Sequence, residues 1–222
     1  GVAPDALLLN AKVLNSRGGG RTSQIISGIN WAVEQNADII SMSFGGFADI
    51  DGPLASAIYD AIAQGVVFVA AAGNCRSSCG GFTGVTTPAN MQDVIAVGAV
   101  DDDNVVASFS SGQVFDGYVK PDFVAPGVAM TSSIKNNGYR EESGTSMSTP
   151  FLSGIVALAM EKNGALAQQA VMSLLEENAI DLGASGKDSD YGFGVVDVGK
   201  LVGGSSVTPP VNDSVPSDAG ER

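Results

Sequence analysis

Residues 38–74 read DIISMSFGGFADIDGPLASAIYDAIAQGVVFVAAAGN, and this stretch contains the pattern that predicts the fold. It begins with an apolar run at Asp38–Phe44 and ends with a second apolar run at Val66–Ala72. Runs of this length are typical of buried strands. Between them, Pro53–Gln64 fits a helix, because proline is well tolerated near the start of a helix. The stretch therefore predicts a strand, a helix and a strand in succession, which is the repeating unit of a parallel sheet.

The same alternation continues on both sides of this stretch. A helix is predicted over roughly Gln24–Asn36, where apolar residues recur at helical spacing, with Thr22 or Ser23 as its cap. The other predicted elements are a buried strand at Ala6–Leu14 followed by a flexible loop, strands at Val94–Val100 and Phe123–Ala125, and helices at Ser146–Lys162, with Pro150 in its first turn, and Ala165–Asn178. Apolar strands that alternate with amphipathic helices predict an α/β domain with a parallel sheet covered by helices on both faces.

The composition fits one globular domain with a tail. The chain has 222 residues, of which 44% are hydrophobic and 16% charged, and a chain of this length can bury a substantial core. After Gly203 the composition changes to Gly, Ser, Pro, Asp and Val. We therefore predict a domain at residues 1–203 and a linker or disordered tail at Gly204–Arg222. Because the chain begins with Gly1 rather than methionine, we expect it to be a piece of a longer precursor.

The charge and the cysteines restrict the classes of partner and site. The net charge of −13 would repel phosphate backbones, which argues against a nucleic-acid partner. No apolar run in the sequence reaches the length of a membrane span. We predict a short disulfide between Cys75 and Cys79, which would imply an oxidising compartment, and two free thiols are the alternative. Because the chain contains no histidine, a zinc site at these cysteines is not expected.

Three segments carry residues suited to catalysis, at the places where open α/β sheets put their ligands. Ser146 lies where a predicted helix begins, and the unpaired N–H groups there can stabilise negative charge on a substrate carbonyl, although the segment also fits a polar cap. Asn74 follows a strand that ends in small residues, and its amide suits an oxyanion, although a Gly-Asn turn would explain it too. Ser41–Gly46 could pair with an extended peptide or simply run into a turn.

Together these segments resemble the subtilisin family of serine proteases. Gly144–Pro150, which reads GTSMSTP, is similar to the family's nucleophile motif, and Ala72–Asn74 to its oxyanion-hole segment. The other matching segments, in the family's order, are Gly1–Pro4, Gly18–Gly20, Ser41–Gly46, Lys120–Gly127 and Tyr191–Gly194. The resemblance covers Gly1 to about Leu201. It implies a subtilisin-like fold, serine endopeptidase activity on polypeptide substrates and a secreted or extracellular location.

The resemblance also implies roles for single residues. Ser146 would be the nucleophile, and the Asn74 amide and the Ser146 backbone N–H would hold the oxyanion. The segments implied to grip the substrate backbone are Ser43, Phe44 and Gly45 on one side and Gly18, Gly19 and Gly20 on the other. The residues implied to line the pocket for the side chain before the scissile bond are Ala71, Ala72 and Gly73. No cofactor is implied for the chemistry, and structural calcium is compatible with the intact domain.

One departure from the family matters as much as the match. The family uses an Asp and a His that lie before the position of Gly1, and this chain has no histidine. The resemblance thus implies that the triad's Asp and His, with N-terminal strands and a helix of the domain, are missing from this chain. One missing strand lies mid-sheet in the family, so we expect a gap between the Ala6–Val13 and Asp38–Phe44 strands. The missing segment would be a partner of this chain.

Three other interpretations were compared with this one. A sedolisin-like peptidase uses Glu as its base, and Glu34 and Asp38 have the i, i+4 spacing of one helix face, but Asn74 and Gly1–Pro4 fit subtilisins better. A pseudoprotease that only binds peptides would need neither Ser146 nor Asn74. A nucleotide-binding domain is excluded, since the glycine-rich loop that begins at Gly18 lacks the phosphate-loop spacing and lysine.

Overall fold

The computed structural model describes residues 1–48, 50–77 and 79–203, so the predicted tail at Gly204–Arg222 lies outside the described residues. The helices are α1 (Thr22–Glu34), α2 (Pro53–Ala63), α3 (Thr145–Asn163), α4 (Gln168–Glu177) and α5 (Val198–Val202). The strands are β1 (Ile39–Met42), β2 (Val67–Ala71), β3 (Ile95–Val100), β4 (Gln113–Phe115), β5 (Tyr118–Lys120), β6 (Phe123–Pro126), β7 (Met130–Ile134), β8 (Gly138–Glu142), β9 (Ala179–Ile180) and β10 (Val195–Val196).

A six-stranded sheet forms the centre of the fold, in the order β1-β2-β3-β6-β10-β9. The first five strands are parallel, and β9 pairs antiparallel with β10 at one edge. Strands β4 and β5, and strands β7 and β8, form two separate antiparallel hairpins. The predicted α/β class with a mostly parallel sheet is confirmed.

Each face of the sheet has its own hydrophobic core, because successive side chains of a strand point to opposite faces. On β2, Phe68 packs into the core that includes Ile29 of α1 and Ile58 of α2. Its neighbour Val69 packs into the other core, with Leu152 of α3. Helices therefore cover both faces, as the sequence predicts. None of the helices in the described ranges has the length and apolar character that a membrane span requires.

The predicted strand at Ala6–Leu14 is wrong. The segment has no regular secondary structure, and Leu7 and Leu8 are 95% and 93% exposed. An apolar segment becomes a buried strand only if another strand satisfies its backbone N–H and C=O groups, and no strand in the described residues pairs with it. In place of the expected gap the sheet has an open edge, since β2 is the one strand of the described residues that pairs with β1.

Two details of the helix termini also differ from the predictions. The N-cap of α1 is Arg21 rather than Thr22 or Ser23, because the Gln24 side chain accepts a hydrogen bond from the Arg21 backbone N–H at 2.9 Å and the helix begins at Thr22, two residues before the predicted start. Pro150 is the sixth residue of α3 and lies past its first turn. Its missing N–H leaves the Ser146 carbonyl without the usual partner four residues later.

A buried ion pair joins β5 to the start of β6. Lys120 Nζ donates hydrogen bonds to the carbonyls of Gln92 (3.1 Å) and Val94 (2.7 Å) and to Asp122 Oδ2 (2.7 Å). The Lys120 and Asp122 side chains are 1% and 2% exposed, and Lys187 Nζ lies 2.6 Å from Asp122 Oδ1. Burial lowers the pKa of Lys120, and the neighbouring carboxylate opposes this shift.

We expect Asp122→Ala to lower the free energy of unfolding by about 3–5 kcal/mol at neutral pH, because Lys120 would keep a buried charge without a counter-ion. The Ala96 N–H, which now donates to Asp122 Oδ2 at 2.7 Å, would also lose its acceptor. Urea denaturation measures the loss. Glu142→Ala, which breaks the exposed pair of Arg140 and Glu142, is the control and should cost less than about 1 kcal/mol.

The stability of Asp122→Ala should change with pH in a defined direction. Without the opposing carboxylate, the pKa of Lys120 in the folded chain would lie further below the ordinary lysine value of 10.5. Between the lowered pKa of Lys120 in the folded variant and its ordinary pKa in the unfolded chain, the folded chain would bind fewer protons than the unfolded chain. The free energy of unfolding should therefore rise with pH in that interval. Equal losses for Asp122→Ala and Glu142→Ala at every pH would contradict the assignment.

Candidate active site

Ser146 is placed by the start of α3. The helix begins at Thr145, after Gly144 with φ 157°, so Ser146 is its second residue. Its half-buried hydroxyl donates a hydrogen bond to the Ser43 carbonyl at 2.8 Å. Because Ser43 directly follows β1, the end of that strand and the N-terminus of α3 meet at this hydroxyl. The N–H groups of the first helical turn have no partner within the helix and are available to an anion.

Asn74, which lies just beyond the end of β2, is held in one orientation by Thr145. Its Oδ1 accepts hydrogen bonds from the backbone N–H and from the hydroxyl of Thr145, both at 3.0 Å. A backbone N–H can only donate, so the atom that faces it must be the amide oxygen. The Nδ2 hydrogens therefore remain available as donors, and the Asn74 side chain is exposed.

Thr145 is a positioning residue that the sequence predictions did not single out. It is 1% exposed, and its hydroxyl accepts from the Gly73 N–H at 3.2 Å while donating to Asn74. The chain of hydrogen bonds thus runs from the end of β2 through Thr145 to the asparagine amide. The sequence feature that could have identified Thr145 is its position within the GTSMSTP segment, between Gly144 and Ser146.

A cavity of about 190 Å³ lies next to Ser146 and Asn74. The predicted residues in its lining are Phe44, Gly45, Ala71, Gly73, Asn74 and Ser146. The residues in its lining that were not predicted as substrate-binding are Gly46, Phe47, Cys75, Cys79, Thr86 and Thr145. Ser43 contributes its carbonyl to the Ser146 hydroxyl. Ala72 is fully buried behind the lining, where its N–H donates to the Val97 carbonyl at 2.9 Å.

Thr86 lines this cavity, and its side chain is the reason that glycine occupies positions 45 and 73. The side chain is buried, at 7% exposure, and a Cβ on Gly45 would overlap it. Gly73 has φ +110°, and a Cβ there would lie 3.0 Å from the Thr86 hydroxyl. Both positions are therefore restricted to glycine, and the small residues at the two strand ends leave room for a ligand.

The cavity brings together the Ser146 hydroxyl and the Asn74 amide, and comparison with known proteins identifies the family of the chain. A family model described as the subtilase family matches residues 1–194. The chain belongs to the subtilase family. It is 41% identical to subtilisin DY of Bacillus licheniformis over 198 residues, which cover 89% of this chain and 69% of that relative.

Two further relatives come from Bacillus subtilis (strain 168). The chain is 36% identical to serine protease AprX over 238 residues, covering 92% of this chain and 53% of the relative. It is 34% identical to minor extracellular protease Epr over 196 residues, covering 88% of this chain and 29% of the relative. The chain therefore spans about half of AprX and less than a third of Epr. Subtilases are serine endopeptidases that need no cofactor for their chemistry.

The glycines predicted to bind the other side of the substrate backbone do not lie at the cavity beside Ser146. Gly18 and Gly19 belong to a turn in which the Asn15 N–H donates to the Gly19 carbonyl at 2.8 Å and the Gly18 N–H to the Asn15 carbonyl at 3.1 Å. None of Gly18, Gly19 and Gly20 lines the cavity. Their role in substrate binding stays a prediction.

A disulfide joins Cys75 to Cys79 at the rim of the cavity, with a Cα–Cα distance of 5.0 Å. The Cys75 N–H donates to Ser111 Oγ at 2.8 Å, and the Cys75 carbonyl accepts from the Gly84 N–H at 3.2 Å. The bridge therefore closes a loop directly after Asn74. Neither cysteine is a free thiol in the structure.

The sedolisin-like alternative does not fit this subtilase geometry. Glu34 ends α1 and Asp38 precedes β1, whereas Ser43 follows β1 at its other end. A separation of five strand residues corresponds to about 16 Å. Neither acidic side chain lines the cavity at Ser146. Among the described residues, the cavity lining contains no carboxylate, lysine or histidine that could serve as a general base.

Proposed function

We propose that this chain supplies the nucleophile and the oxyanion donors of a serine endopeptidase whose triad Asp and His come from sequence outside it. The observation that carries the proposal is the fixed orientation of Asn74. Its amide oxygen is bound twice by Thr145, so its Nδ2 donors are available beside Ser146. A preorganised neutral donor next to a hydroxyl at a helix N-terminus is suited to a developing oxyanion.

The reaction begins at the Ser146 hydroxyl. When a histidine accepts its proton, the hydrogen bond to the Ser43 carbonyl breaks and Oγ attacks the scissile carbonyl carbon. The carbonyl oxygen becomes an oxyanion held by Asn74 Nδ2 and the Ser146 N–H. The oxyanion collapses, the C–N bond breaks, and the histidine returns the proton to the leaving amine. Water then hydrolyses the acyl group on Ser146 by the same proton path in reverse.

The substrate backbone is proposed to lie along the segment after β1. Ser43, Phe44 and Gly45 directly follow β1, and Phe44 and Gly45 line the cavity, so the backbone of an extended peptide would pair with this segment. Gly46 keeps this segment in place, because its N–H and carbonyl both pair with Thr87 at 3.0 Å. The side chain before the scissile bond would occupy the space next to Ala71 and Gly73.

The partner proposed for the chain itself is the segment that carries the triad Asp and His. The edge of β1 with which no strand of the described ranges pairs offers backbone donors and acceptors for another strand. The exposed apolar side chains of Leu7, Leu8 and Leu9 could be buried by the same segment. Polypeptides are the proposed substrates, and the −13 charge argues against a nucleic-acid partner.

An extracellular location is also proposed. It is supported by the disulfide at Cys75 and Cys79, which persists in oxidising compartments, and by the relative named minor extracellular protease Epr. Within the described ranges, no three acidic, cysteine or histidine side chains converge where they could hold a metal ion, so structural calcium stays a prediction for the intact domain. No step of the reaction is assigned to it.

We expect Asn74→Leu in the full-length protein to lower kcat with little change in KM, since the amide would act only in the transition state. A loss of roughly 10²–10³ is the range known when this type of donor is removed from subtilisin, a member of the same family. Steady-state kinetics on a fluorogenic peptide measure it. Asn30→Leu, at an exposed position of α1, is the control. A change in KM alone would mean that Asn74 binds substrate in the ground state.

A further inference from the structure

The disulfide between Cys75 and Cys79 lies in the wall of the cavity that holds Ser146. Both cysteines line that cavity, and Cys75 directly follows Asn74 in the chain. Cys75 is 4% exposed, whereas Cys79 is only half-buried. A small thiol in solution can therefore reach the bridge at Cys79. A change in the bridge would act directly on the wall of the candidate active site.

The bridge is too short to be a major support of the whole fold. The two cysteines are four positions apart in the chain. A disulfide stabilises a fold chiefly by restricting the unfolded chain, and this effect is smallest for the shortest loops. Strand β2, which ends shortly before the bridge, already packs into a hydrophobic core on each of its faces. We therefore expect loss of the bridge to act locally, on the segments next to the cysteines.

On one side of the bridge, hydrogen bonds that do not involve the disulfide hold the oxyanion donor. Thr145 binds the Asn74 amide oxygen twice, at 3.0 Å from its N–H and from its hydroxyl. Ser111 holds both neighbours of Asn74, because its Oγ accepts from the Cys75 N–H at 2.8 Å and its N–H donates to the Gly73 carbonyl at 2.9 Å. The position of Asn74 should therefore survive reduction of the bridge.

On the other side, the turn at Cys79–Phe82 is bound mainly to itself. The Cys79 N–H donates to the Phe82 carbonyl at 2.8 Å, and the Phe82 N–H donates to the Cys79 carbonyl at 3.2 Å. Within the described ranges, no hydrogen bond ties this turn to another segment. The Phe82 ring packs against that of Phe47, with centroids 4.9 Å apart, but Phe47 is itself 68% exposed. The disulfide is therefore the main tie between this turn and the segment at Asn74.

We propose that the Cys75–Cys79 disulfide is a thiol-sensitive switch of substrate binding. The bridged form holds the Cys79–Phe82 turn as part of the cavity wall, and the reduced form releases the turn while Asn74 and Ser146 stay in place. Phe47, which contacts the turn, also lines the cavity, so the change reaches the space where a ligand binds. The proposal rests on the proposed peptidase function in taking that ligand to be a polypeptide substrate.

The switch is operated by a low-molecular-weight thiol, and two molecules of it are consumed. The first, as a thiolate, attacks the sulfur of the more exposed Cys79. The S–S bond breaks, and its electron pair goes to the Cys75 sulfur, which takes up a proton. The second thiolate attacks the small-molecule sulfur of the mixed disulfide and releases Cys79, which is then protonated. The protein gains two thiols, and the two small thiols leave as one disulfide.

The first measurement compares steady-state kinetics of the full-length protein before and after treatment with reduced glutathione. Alkylation of Cys75 and Cys79, read by peptide mass, confirms that the bridge has been reduced. KM for dye-labelled casein should rise about 2- to 13-fold, the range that corresponds to ordering one more side chain on binding. The value of kcat should stay unchanged, because Asn74 and Ser146 keep their hydrogen bonds.

Hydrogen exchange gives a second readout that does not depend on a substrate. On reduction, exchange should become faster at the amides of Cys79 and Phe82, which bond only within their turn. It should not change at the amides of Gly73 and Cys75, which donate to Thr145 and Ser111. Faster exchange at Cys79 and Phe82 in an oxidised protein that does not hydrolyse casein before treatment would refute the peptidase function and leave release of the turn standing.

The double variant with Cys75→Ser and Cys79→Ser is the matched control. Without reductant it should show the KM and the exchange of the reduced protein, and glutathione should change neither. A response of this variant to glutathione would assign the effect to other groups and overturn the proposal. Unchanged KM and exchange after reduction of the unmutated protein, a fall in kcat alone, or loss of protection throughout the fold would each overturn it as well. The unmutated protein keeps the test decisive if the double variant does not fold.

Discussion

Replacing Ser146 with alanine should abolish peptide hydrolysis by the full-length protein. No acyl-enzyme can form without Oγ, and the other donors at the site can only stabilise charge that a nucleophile has created. Labelling by a serine-directed phosphonate should be lost together with hydrolysis. Both are measured on the same preparation, by turnover of a fluorogenic peptide and by intact mass after exposure to the phosphonate.

Ser153→Ala is the matched control for this variant. Ser153 lies on the same helix, seven residues further on, and its hydroxyl interacts with Ser41 Oγ at 2.9 Å rather than lining the cavity. It should keep both hydrolysis and labelling. Continued phosphonate labelling in Ser146→Ala would exclude Ser146 as the nucleophile.

The second large effect concerns the 222-residue chain by itself, which should show no enzyme-like turnover. Serine attack needs a group that removes the hydroxyl proton and later protonates the leaving amine. Histidine suits both steps near neutrality, and the sequence contains none. A buried, deprotonated lysine could replace it, but none of the described lysines lines the cavity at Ser146. Lys120, the most deeply buried, is bound to Asp122.

The assay compares the purified chain with and without a separate polypeptide that carries the preceding segment of the full-length protein. The chain alone should stay at background, and adding the segment should restore turnover if it pairs with the open edge of β1. Robust turnover by the chain alone, lost in Ser146→Ala, would show that another residue acts as the base. A preceding segment without an Asp and a His in their motifs would favour the peptide-binding pseudoprotease instead.

Local sequence patterns predicted those strands that find hydrogen-bonded neighbours among the described residues. Val66–Ala72 is apolar at every position, and β2 within it is buried from both sides by α1, α2 and α3. Such a run has one low-energy environment, the middle of a covered parallel sheet. Ala6–Leu14 has a similar composition but lies largely exposed, and no strand among the described residues pairs with it. Composition shows that a segment can be buried, and hydrogen-bond partners decide whether it is.

The sequence by itself determined the α/β class, the positions of Ser146 and Asn74 at a helix start and a strand end, and the lack of a histidine. Only the tertiary structure decided which way the Asn74 amide faces, because that depends on the Thr145 N–H, 71 residues away along the chain. It likewise left Asn90 Oδ1 buried without a hydrogen-bond partner. Hydrogen bonds depend on direction and on distances of tenths of an ångström, and residue order fixes neither between segments that are remote in the chain.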